Sequence, residues 1–201
     1  MRESGTGDGC GAEGTPAVRP SRGRTLYSAS MSLDGFITGP GGDMSWLADH
    51  LAPNPWLDAF VPRIGALLVG SRTFGGDDPY RGTEAEGEAF GGAWSGPQFV
   101  LTHRAPARPV PGVTFVGDLR DGLAQAKEAA GEGYVNVLGA ATARQCLEAG
   151  LLDEILVCVV PVLLGDGVRL FERPDGERVR LERLALSGTP EATNLWLRVV
   201  R

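Results

Sequence analysis

Apolar and polar residues follow each other along most of the chain in the two periods that mark strands and helices. From Leu26 to Leu33 two sets of side chains alternate, which predicts a strand that ends at Asp34-Gly35. Apolar runs and short alternating segments predict further strands at 64–70 (IGALLVG), 97–102 (PQFVLT), 113–117 (VTFVG), 134–139 (YVNVLG) and 153–164 (DEILVCVVPVLL).

Helical patterns lie between these strands. Apolar residues recur on one face of DLRDGLAQAKEAAG, which predicts a helix capped by Asp118 and closed by Gly131. The segment AATARQCLEAG predicts a second helix, closed by Gly150. Two short helices are expected earlier in the chain, one with Asp43 as its N-cap and one with Asn54 as its N-cap.

The order of these elements indicates the fold class. Strands that alternate with helices favour an α/β fold with a mostly parallel central sheet between two layers of helices. The C-terminal segment has two strand patterns around a Gly-Thr-Pro turn, so antiparallel strands are expected at one edge. Residues 75–97 are rich in glycine and show neither period, which predicts a long loop of the kind that often serves function.

The first 24 residues differ from the rest of the chain. They lack a hydrophobic period and are rich in glycine, proline and charge, so 1–24 is expected to be a disordered tail before one domain at 25–201. Gly9, Gly11 and Gly14 match the spacing G-x-G-x-x-G. A dinucleotide fingerprint must follow a strand and open a helix, however, and nothing strand-like precedes these glycines.

Composition and charge exclude several classes of protein. A chain of 201 residues with 42% hydrophobic and 22% charged residues is typical of one soluble domain. A net charge of −6 argues against a general nucleic-acid binder, which needs a basic face. The longest apolar run, Ile155 to Leu164, contains Pro161 and is about half as long as a membrane span of roughly 20 residues. We therefore expect a cytoplasmic protein without nucleic-acid or membrane partners.

The few lysines, cysteines and histidines restrict the chemistry. Lys127 is the only lysine and lies on a predicted helix surface, which excludes a Walker phosphate loop and a pyridoxal Schiff base. The three cysteines are widely spaced and form no C-x-x-C pair, so neither a disulfide framework nor a zinc site is indicated. The two histidines are far apart, and no metal centre is expected.

Three predicted strands end in short polar or glycine-bearing segments, which are Gly70–Thr73, Thr102–Arg104 and Leu138–Thr142. Because the carboxyl ends of parallel strands meet at one edge of a sheet, where ligands bind, we expect these segments to lie together. Two of them open predicted helices, whose free N–H groups favour phosphate oxygens. Together they indicate a nucleotide-like ligand, although each segment alone is explained equally well as a turn after a strand.

Several stretches resemble a known family in order and spacing. They are SASMSLDGFI, LLVGSRTF and VNVLGAATARQCLEAGLLDEILVCVVPVLLGDGVRLF, of which the last is the most specific. The chain from Thr25 onward resembles the family that groups dihydrofolate reductase with the reductase domain of bacterial riboflavin biosynthesis (the RibD C-terminal domain). This resemblance implies a three-layer α/β/α dihydrofolate reductase-like fold in a stand-alone bacterial member, and NADPH as cofactor.

The same resemblance implies which residues contact the cofactor. Those expected to do so are Ala29, Ile37, Thr38, Trp46, Gly70, Ser71, Arg72, Thr73, Asp77, Thr102, His103, Arg104, Leu138, Gly139, Ala140, Ala141, Thr142 and Ala143. Ser71 stands where the family usually has arginine, so the positive charge for the 2′-phosphate is expected from Arg72 or Arg104. Leu138 stands where the family usually has the first of two glycines.

The substrate side has fewer matches. The position of the buried acid of dihydrofolate reductase falls on Leu51, and Asp49 is the nearest acid. Asp49 and Tyr80 are the candidate catalytic residues, with solvent as another source of the proton. In the riboflavin branch an arginine is expected to hold the ribose phosphate, and that position falls near Glu84. The loop at 75–97 is the candidate substrate lid.

These observations leave three functions open. The first is an NADPH-dependent reductase that transfers a hydride to a C=N, C=C or C=O bond of a small heterocyclic or secondary-metabolite substrate. The second is a riboflavin-pathway reductase that acts on a ribosylamino-pyrimidine. The third is a non-catalytic NADPH-binding sensor or assembly protein. Family members often pair through sheet edges, so a homodimer is expected.

Overall fold

The computed structural model describes residues 23–174 and 176–201. Residues 1–22 of the expected tail, with the glycine motif, lie outside the described residues. Arg24, the last residue of that expected tail, is described, and its Nη1 pairs with Glu154 Oε1 at 2.7 Å.

The described residues form ten strands, which are β1 (Thr25–Ser32), β2 (Phe36–Thr38), β3 (Ile64–Gly70), β4 (Gln98–Leu101), β5 (Val113–Val116), β6 (Tyr134–Leu138), β7 (Glu154–Val160), β8 (Val168–Arg169), β9 (Arg180–Gly188) and β10 (Thr193–Val200). Eight of them build one sheet in the order β5-β4-β3-β6-β1-β7-β10-β9. The strands from β5 to β7 in that order are parallel, and β10 and β9 are antiparallel. The predicted mostly parallel sheet with antiparallel C-terminal strands is therefore confirmed.

Helices cover both faces of this sheet. They are α1 (Ser45–Ala48), α2 (Pro55–Phe60), α3 (Ser71–Phe74), α4 (Leu119–Ala130) and α5 (Ala140–Glu148). Helix α4 packs on one face through Leu123 and Ala126, and α5 packs on the same face through Cys146. Helix α2 packs on the opposite face through Trp56 and Phe60. The three predicted layers are thus present, because α2, α4 and α5 each bury apolar side chains against the sheet.

The caps of the longer helices follow the sequence signals. The Asp118 carboxylate accepts hydrogen bonds from the N–H groups of Arg120 at 2.8 Å and Asp121 at 3.0 Å, as expected for the N-cap of α4. Gly131 ends the helix with a φ of 55°. In α2 the Asn54 side chain accepts from the Leu57 N–H at 3.4 Å.

The N-cap predicted for α1 is wrong by one residue. Met44 occupies the cap position, and Asp43 precedes it. The Asp43 carboxylate accepts from the Ser45 N–H at 3.1 Å and from the Ser45 hydroxyl at 3.0 Å. Asp43 therefore forms a turn ahead of the helix, a role that short acids also favour.

Sequence patterns did not predict the small antiparallel sheet of β2 and β8. Phe36 pairs with Arg169, and Thr38 pairs with Val168. Strands of two and three residues are too short to show a period. Gly167 has a φ of 134°, and a β-carbon there would overlap the Thr38 carbonyl oxygen. Glycine is therefore needed for this close approach, which brings the chain before β8 beside β2.

Asp34 joins the turn after β1 to the turn after β7. Its carboxylate accepts from the Ser32 hydroxyl at 2.6 Å, the Leu164 N–H at 3.1 Å and the Gly165 N–H at 2.7 Å. The hydrogen bond from Ser32 is the main reason why the pKa of Asp34 is lowered to about 2. Asp34 thus fixes the corner from which β2 starts.

Glu154 forms a buried polar cluster at the start of β7. Its carboxylate accepts from the Trp196 indole N–H at 2.8 Å and the Tyr134 hydroxyl at 3.1 Å, and pairs with Arg24. Asp153 accepts from the Thr25 N–H at 2.9 Å. The bonds from Trp196, Tyr134 and Arg24 satisfy the Glu154 carboxylate, which is almost fully buried. Glu154 lies at the edge of the sheet opposite the carboxyl ends of the parallel strands.

Within residues 23–174 and 176–201, none of the helices combines the length and the apolar character that crossing a bilayer requires.

Candidate functional site

A cavity of about 1580 Å³ opens at the carboxyl edge of the parallel strands. The three segments predicted to meet there do line it, namely Gly70–Thr73 after β3, Thr102 and His103 after β4, and Leu138–Thr142 after β6. We call these residues the glycine end of the cavity. The parallel register brings them together, because β4, β3 and β6 are neighbours in the sheet.

Two glycines let the segments after β3 and β6 approach closely. A β-carbon on Gly139 would overlap Thr73 Oγ1, and a β-carbon on Gly70 would lie 2.7 Å from Thr142 Oγ1. Gly139 also has a φ of 102°, which side chains rarely adopt. No described peptide bond is cis, so the Leu138-Gly139 bond is trans. Each glycine thus leaves space for the hydroxyl of the opposite segment.

Helix α5 begins at the glycine end without a side-chain cap. Its N-cap is Gly139, which has no side chain, and Ala140, Ala141 and Thr142 of the first turn line the cavity. The first N–H groups of a helix have no intrahelical partner and carry partial positive charge. The start of α5 therefore offers an anion a set of unoccupied donors.

The charged side chains at the glycine end differ from the expectation in one respect. Arg72 and His103 line the cavity, and Arg72 is the one arginine or lysine among the described lining residues. Arg104 is exposed and does not line the cavity, and its N–H donates to Thr102 Oγ1 at 3.1 Å. Of the two arginines considered for a phosphate, the structure brings Arg72 to the cavity.

Strand β1 lies between β6 and β7, so its residues occupy the middle of the cavity. Ala29 lines it there, together with Ile37 and Thr38 of β2. Asp77 lines the same region and accepts from the Met44 N–H at 3.0 Å. That hydrogen bond is the largest of the effects that lower the pKa of Asp77. The carboxylate thereby holds the loop after α3 against the segment before α1.

The opposite end of the cavity is built from α2, β7 and the turn between β9 and β10. We call it the α2 end; its residues are Asn54, Leu57, Asp58, Phe60, Val61, Leu156, Cys158, Val160, Thr189, Glu191 and Ala192. Ser28 and Ser30 of β1 adjoin it, as do residues 50–53 before α2. Most of these side chains are apolar, so this end offers apolar walls for a flat or hydrophobic molecule.

Asn54 anchors the α2 end to β10. Its Nδ2 donates to Asn194 Oδ1 at 3.0 Å, and Asn194 Nδ2 donates back to Asn54 Oδ1 at 3.2 Å and to Ser187 Oγ at 3.1 Å. Asn54 Nδ2 also lies 3.7 Å from Cys158 Sγ. Burial raises the pKa of the Cys158 thiol, which therefore keeps its proton at neutral pH. These groups form a fixed polar floor.

The loop at 75–97 folds against the cavity and is held by hydrogen bonds within the loop and by one to the start of β3. The Asp78 carboxylate accepts from the Tyr80 N–H at 2.8 Å and the Gly87 N–H at 2.6 Å. The Trp94 indole N–H donates to the Ile64 carbonyl at 2.9 Å. Tyr80 lines the cavity, and burial, followed by the charge of Asp78, raises the pKa of its phenol. The Tyr80 hydroxyl is therefore protonated at neutral pH.

Four predicted site residues do not line the cavity. Trp46 and Arg104 lie outside the lining set, and Ala143 is fully buried beneath the first turn of α5. Asp49 is exposed at the end of α1, whereas its neighbour His50 lines the cavity. Contact with a bound substrate would therefore require Asp49 to move, and its position does not favour the catalytic role expected from the sequence.

Several residues of the site had no signal in the sequence. Asp58 lies in a helix of six residues, too short for its faces to be assigned from a period. Glu191 and Thr189 reach the cavity only because the hairpin of β9 and β10 folds beside β7. Among the described residues, no group of three or more histidine, cysteine or acidic side chains is placed to hold a metal ion.

Solved structures share this architecture and define its class. A protein from Shewanella sp. PV-4 assigned to riboflavin biosynthesis superposes with a TM-score of 0.66 at 26% identity, over 89% of this chain and 99% of that one. The dihydrofolate reductase from Enterococcus faecalis, complexed with NADP(H), superposes with a TM-score of 0.58 at 18% identity, over 89% and 96%. The fold is therefore dihydrofolate reductase-like, as the resemblance in the sequence implied.

The chain belongs to the RibD C-terminal domain family, whose model matches residues 25–191. The diaminohydroxyphosphoribosylaminopyrimidine deaminase/5-amino-6-(5-phosphoribosylamino)uracil reductase of Thermotoga maritima superposes with a TM-score of 0.66 at 17% identity, over 90% of this chain. This chain spans 57% of that protein. The "Uncharacterized protein YyaP" of Bacillus subtilis (strain 168) is 23% identical over 156 residues, which are 74% of this chain and 80% of that protein.

Proposed function

We propose that the protein is an NADPH-dependent reductase that transfers a hydride to a C=N, C=C or C=O bond of a small heterocyclic substrate. The observation that carries this proposal is one cavity with two different ends, a helix start without a side-chain cap and a mainly apolar pocket. A site for one drug-sized ligand measures roughly 300–1000 Å³. A cavity of about 1580 Å³ has room for a dinucleotide and a second molecule.

The residues of the glycine end fit a nicotinamide dinucleotide. The close approach at Gly70 and Gly139 leaves room for the Thr142 and Thr73 hydroxyls, so the donors at this end are hydroxyl and N–H groups. Gly139 to Thr142 would hold the pyrophosphate at the start of α5. Arg72 and His103 would meet the 2′-phosphate, and a guanidinium can donate two hydrogen bonds to it. This donor set favours NADPH over NADH.

The middle of the cavity would orient the reacting ring. When bound, the nicotinamide supplies the hydride. The small side chain of Ala29 leaves space for a ring beside β1, and Ile37 and Thr38 would hold its other side. Leu57 and Phe60 would press the substrate against this position and exclude water, and such positioning is a large part of catalysis.

Tyr80 is the candidate proton donor. A tyrosine phenol is protonated at neutral pH, and burial, followed by the charge of the nearby Asp78, raises its pKa further. It lines the cavity from a loop that the Asp78 hydrogen bonds fix in place. The Tyr80 hydroxyl would protonate the substrate atom that gains negative charge as the hydride arrives.

A riboflavin-pathway reductase is the second candidate, and the match to the RibD C-terminal domain family favours it. Conversion of 5-amino-6-(5-phosphoribosylamino)uracil with NADPH would select this function over the more general one. Glu84, which falls where an arginine was expected for the ribose phosphate, is exposed and lies outside the cavity lining. A third function, NADPH binding without turnover, would be favoured if no acceptor supports NADPH oxidation.

Thermal unfolding with each nucleotide tests the cofactor. At a concentration a hundredfold above its Kd, a ligand stabilises the folded state by about 2.7 kcal/mol, so NADPH should raise the Tm clearly and NADH much less. No shift with either nucleotide would contradict the proposal. Light scattering tests the expected homodimer, which a monomeric mass would exclude.

Turnover tests the proton donor. With an accepted substrate, Tyr80→Phe should lower kcat by about 10²-fold, the lower range for a lost general acid. The NADPH-induced Tm shift should stay unchanged, because Tyr80 lies outside the glycine end. An unchanged kcat would transfer the role to solvent.

A further inference from the structure

The two ends of the cavity differ in charge, and this difference specifies the substrate. We propose that the α2 end takes an amino-substituted nitrogen heterocycle that carries no phosphate, and that Asp58 and Glu191 select against anionic groups there. The inference rests on the proposed reductase function and names the substrate class of the same site.

The α2 end has carboxylates and lacks strongly basic side chains. Asp58 and Glu191 both line it, and no arginine or lysine does so among the residues that the structure describes. Both acids are exposed, and neither forms an ion pair or side-chain hydrogen bond in the described part of the chain. His50, an imidazole, lines the cavity near this end.

The start of α2 cannot replace the missing cation. Pro55 has no N–H, and the Leu57 N–H is already taken by the Asn54 side chain. Asn54 is held in that position by its paired amide bonds with Asn194. Of the first three positions of α2, Pro55 and Leu57 thus offer a phosphate no donor and the Trp56 N–H remains, whereas the start of α5 has no side-chain cap.

The polar groups that remain are mainly acceptors. An ionised carboxylate accepts hydrogen bonds and donates none, so Asp58 and Glu191 call for a ligand that supplies N–H groups. Leu57, Phe60 and Leu156 form apolar walls that suit a flat ring. An amino-substituted heterocycle provides both the ring and the donors.

A phosphate at this end would be repelled. Charges of the same sign a few ångströms apart in a largely aqueous opening cost an energy on the order of one factor of ten in affinity for each close pair. A phosphate carries nearly two negative charges at neutral pH, so a phosphate close to either Asp58 or Glu191 would be repelled. We therefore expect a preference of about tenfold or more for the unphosphorylated form of a ligand.

The test uses a matched pair of probes, 5-amino-6-(ribosylamino)uracil and its 5′-phosphate, titrated into the full chain by calorimetry with and without saturating NADP⁺. The unphosphorylated probe should bind about tenfold tighter or better. The double variant Asp58→Asn with Glu191→Gln should reduce that ratio severalfold. The control, Asp121→Asn with Glu128→Gln, makes the same change of net charge at exposed acids of α4 outside the cavity lining and should leave the ratio unchanged.

Each possible result either supports or overturns the inference on the substrate class. Tighter or equal binding of the phosphorylated probe, binding of neither probe, or a ratio that the Asp58 and Glu191 changes do not alter would overturn the inference. Absence of NADP⁺ binding would instead overturn the proposed reductase. Because the probes are also titrated without NADP⁺, these two failures are distinguishable. Circular dichroism of each variant verifies that its fold is intact.

Discussion

Helices α2 and α5 both begin at the cavity, and their N-caps prepare its two ends for different ligands. Helix α5 starts at Gly139 with no side chain to take its first N–H groups, whereas α2 starts at Asn54, whose side chain takes the Leu57 N–H. The first N–H groups are thus without a side-chain partner in α5, whereas in α2 one of them is bonded to the side chain of the N-cap. The cap residue, more than the presence of a helix, determines where an anion can bind.

The side chains around the two helix starts extend this contrast. Arg72 and His103 lie at the glycine end, and Asp58 and Glu191 lie at the α2 end. A ligand with phosphates is favoured at the first and disfavoured at the second. The cavity can therefore orient a dinucleotide along one direction and receive a second, less acidic molecule beyond its ring.

The largest effect is expected from a substitution at the uncapped start of α5. Gly139→Ala places a β-carbon onto Thr73 Oγ1 at a φ of 102°. The backbone strain costs about 1–2 kcal/mol, and one displaced hydrogen bond costs about 1 kcal/mol. We expect the Kd for NADPH, measured by calorimetry, to rise about a hundredfold.

The control for this variant is Gly117→Ala. Gly117 lines the same cavity, and a β-carbon there meets no atom within 4 Å. Its affinity for NADPH should stay within a factor of about two, a change too small to reflect a lost contact. Equal losses in both variants would mean that the close approach at Gly139 does not shape the site.

The next largest effect is expected from a substitution that removes the N-cap of α2. Asn54→Ala removes the cap of α2 and leaves the buried Asn194 Oδ1 without its donor, whereas Asn194 Nδ2 keeps its hydrogen bond to Ser187 Oγ. A lost cap costs about 1 kcal/mol and an unsatisfied buried group about 1–3 kcal/mol. Urea unfolding should show a loss of about 2–3 kcal/mol in the free energy of unfolding. NADPH affinity of the folded variant should hardly change, and a large loss would show that the two ends are coupled.

A smaller effect separates the two arginines near the glycine end. Arg72→Ala removes a guanidinium that lines the cavity, and a hydrogen bond to a charged group contributes about 1.5–3 kcal/mol. The Kd for NADPH should therefore rise by about tenfold to a hundredfold, with little change for NADH. Arg104→Ala is the matched comparison, since Arg104 lies outside the lining. If Arg104 alone controls the preference for NADPH, the assignment to Arg72 is wrong.

The smallest effect is expected at Asp34, which fixes the turn after β1. Hydrogen bonds, above all the one from Ser32, lower the pKa of Asp34 to about 2 from 3.8. A lowered pKa contributes stability above the ordinary pKa that is lost as the pH falls from about 4 through about 2. In urea unfolding, the wild-type chain should lose stability over this range faster than Asp34→Asn does. Parallel pH curves would show that the carboxylate of Asp34 does not stabilise the corner.

Long elements and their caps could be predicted from the sequence, whereas short ones could not. The apolar run of β3 and the periodic face of α4 each contain enough residues to show a period, and Asp118 and Asn54 cap as their residue types suggest. Strand β2 has three residues and β8 has two, so their pairing depends on Gly167 and on contacts distant in sequence.

The candidate site followed the same division. The glycine end was predictable because its residues directly follow parallel strands, whose ends must share an edge. The α2 end was not, because Glu191 and Asn194 reach it only through the antiparallel hairpin beside β7. Asp49 and Arg104 were close in sequence to lining residues, yet a shift of one residue placed each outside the cavity.

A crystal structure of the chain with NADPH would test the central claim most directly. We expect the pyrophosphate within hydrogen-bond distance of the N–H groups of Ala140 to Thr142, with the nicotinamide beside Ala29. A pyrophosphate bound against α2, or a nucleotide outside the cavity, would contradict the account.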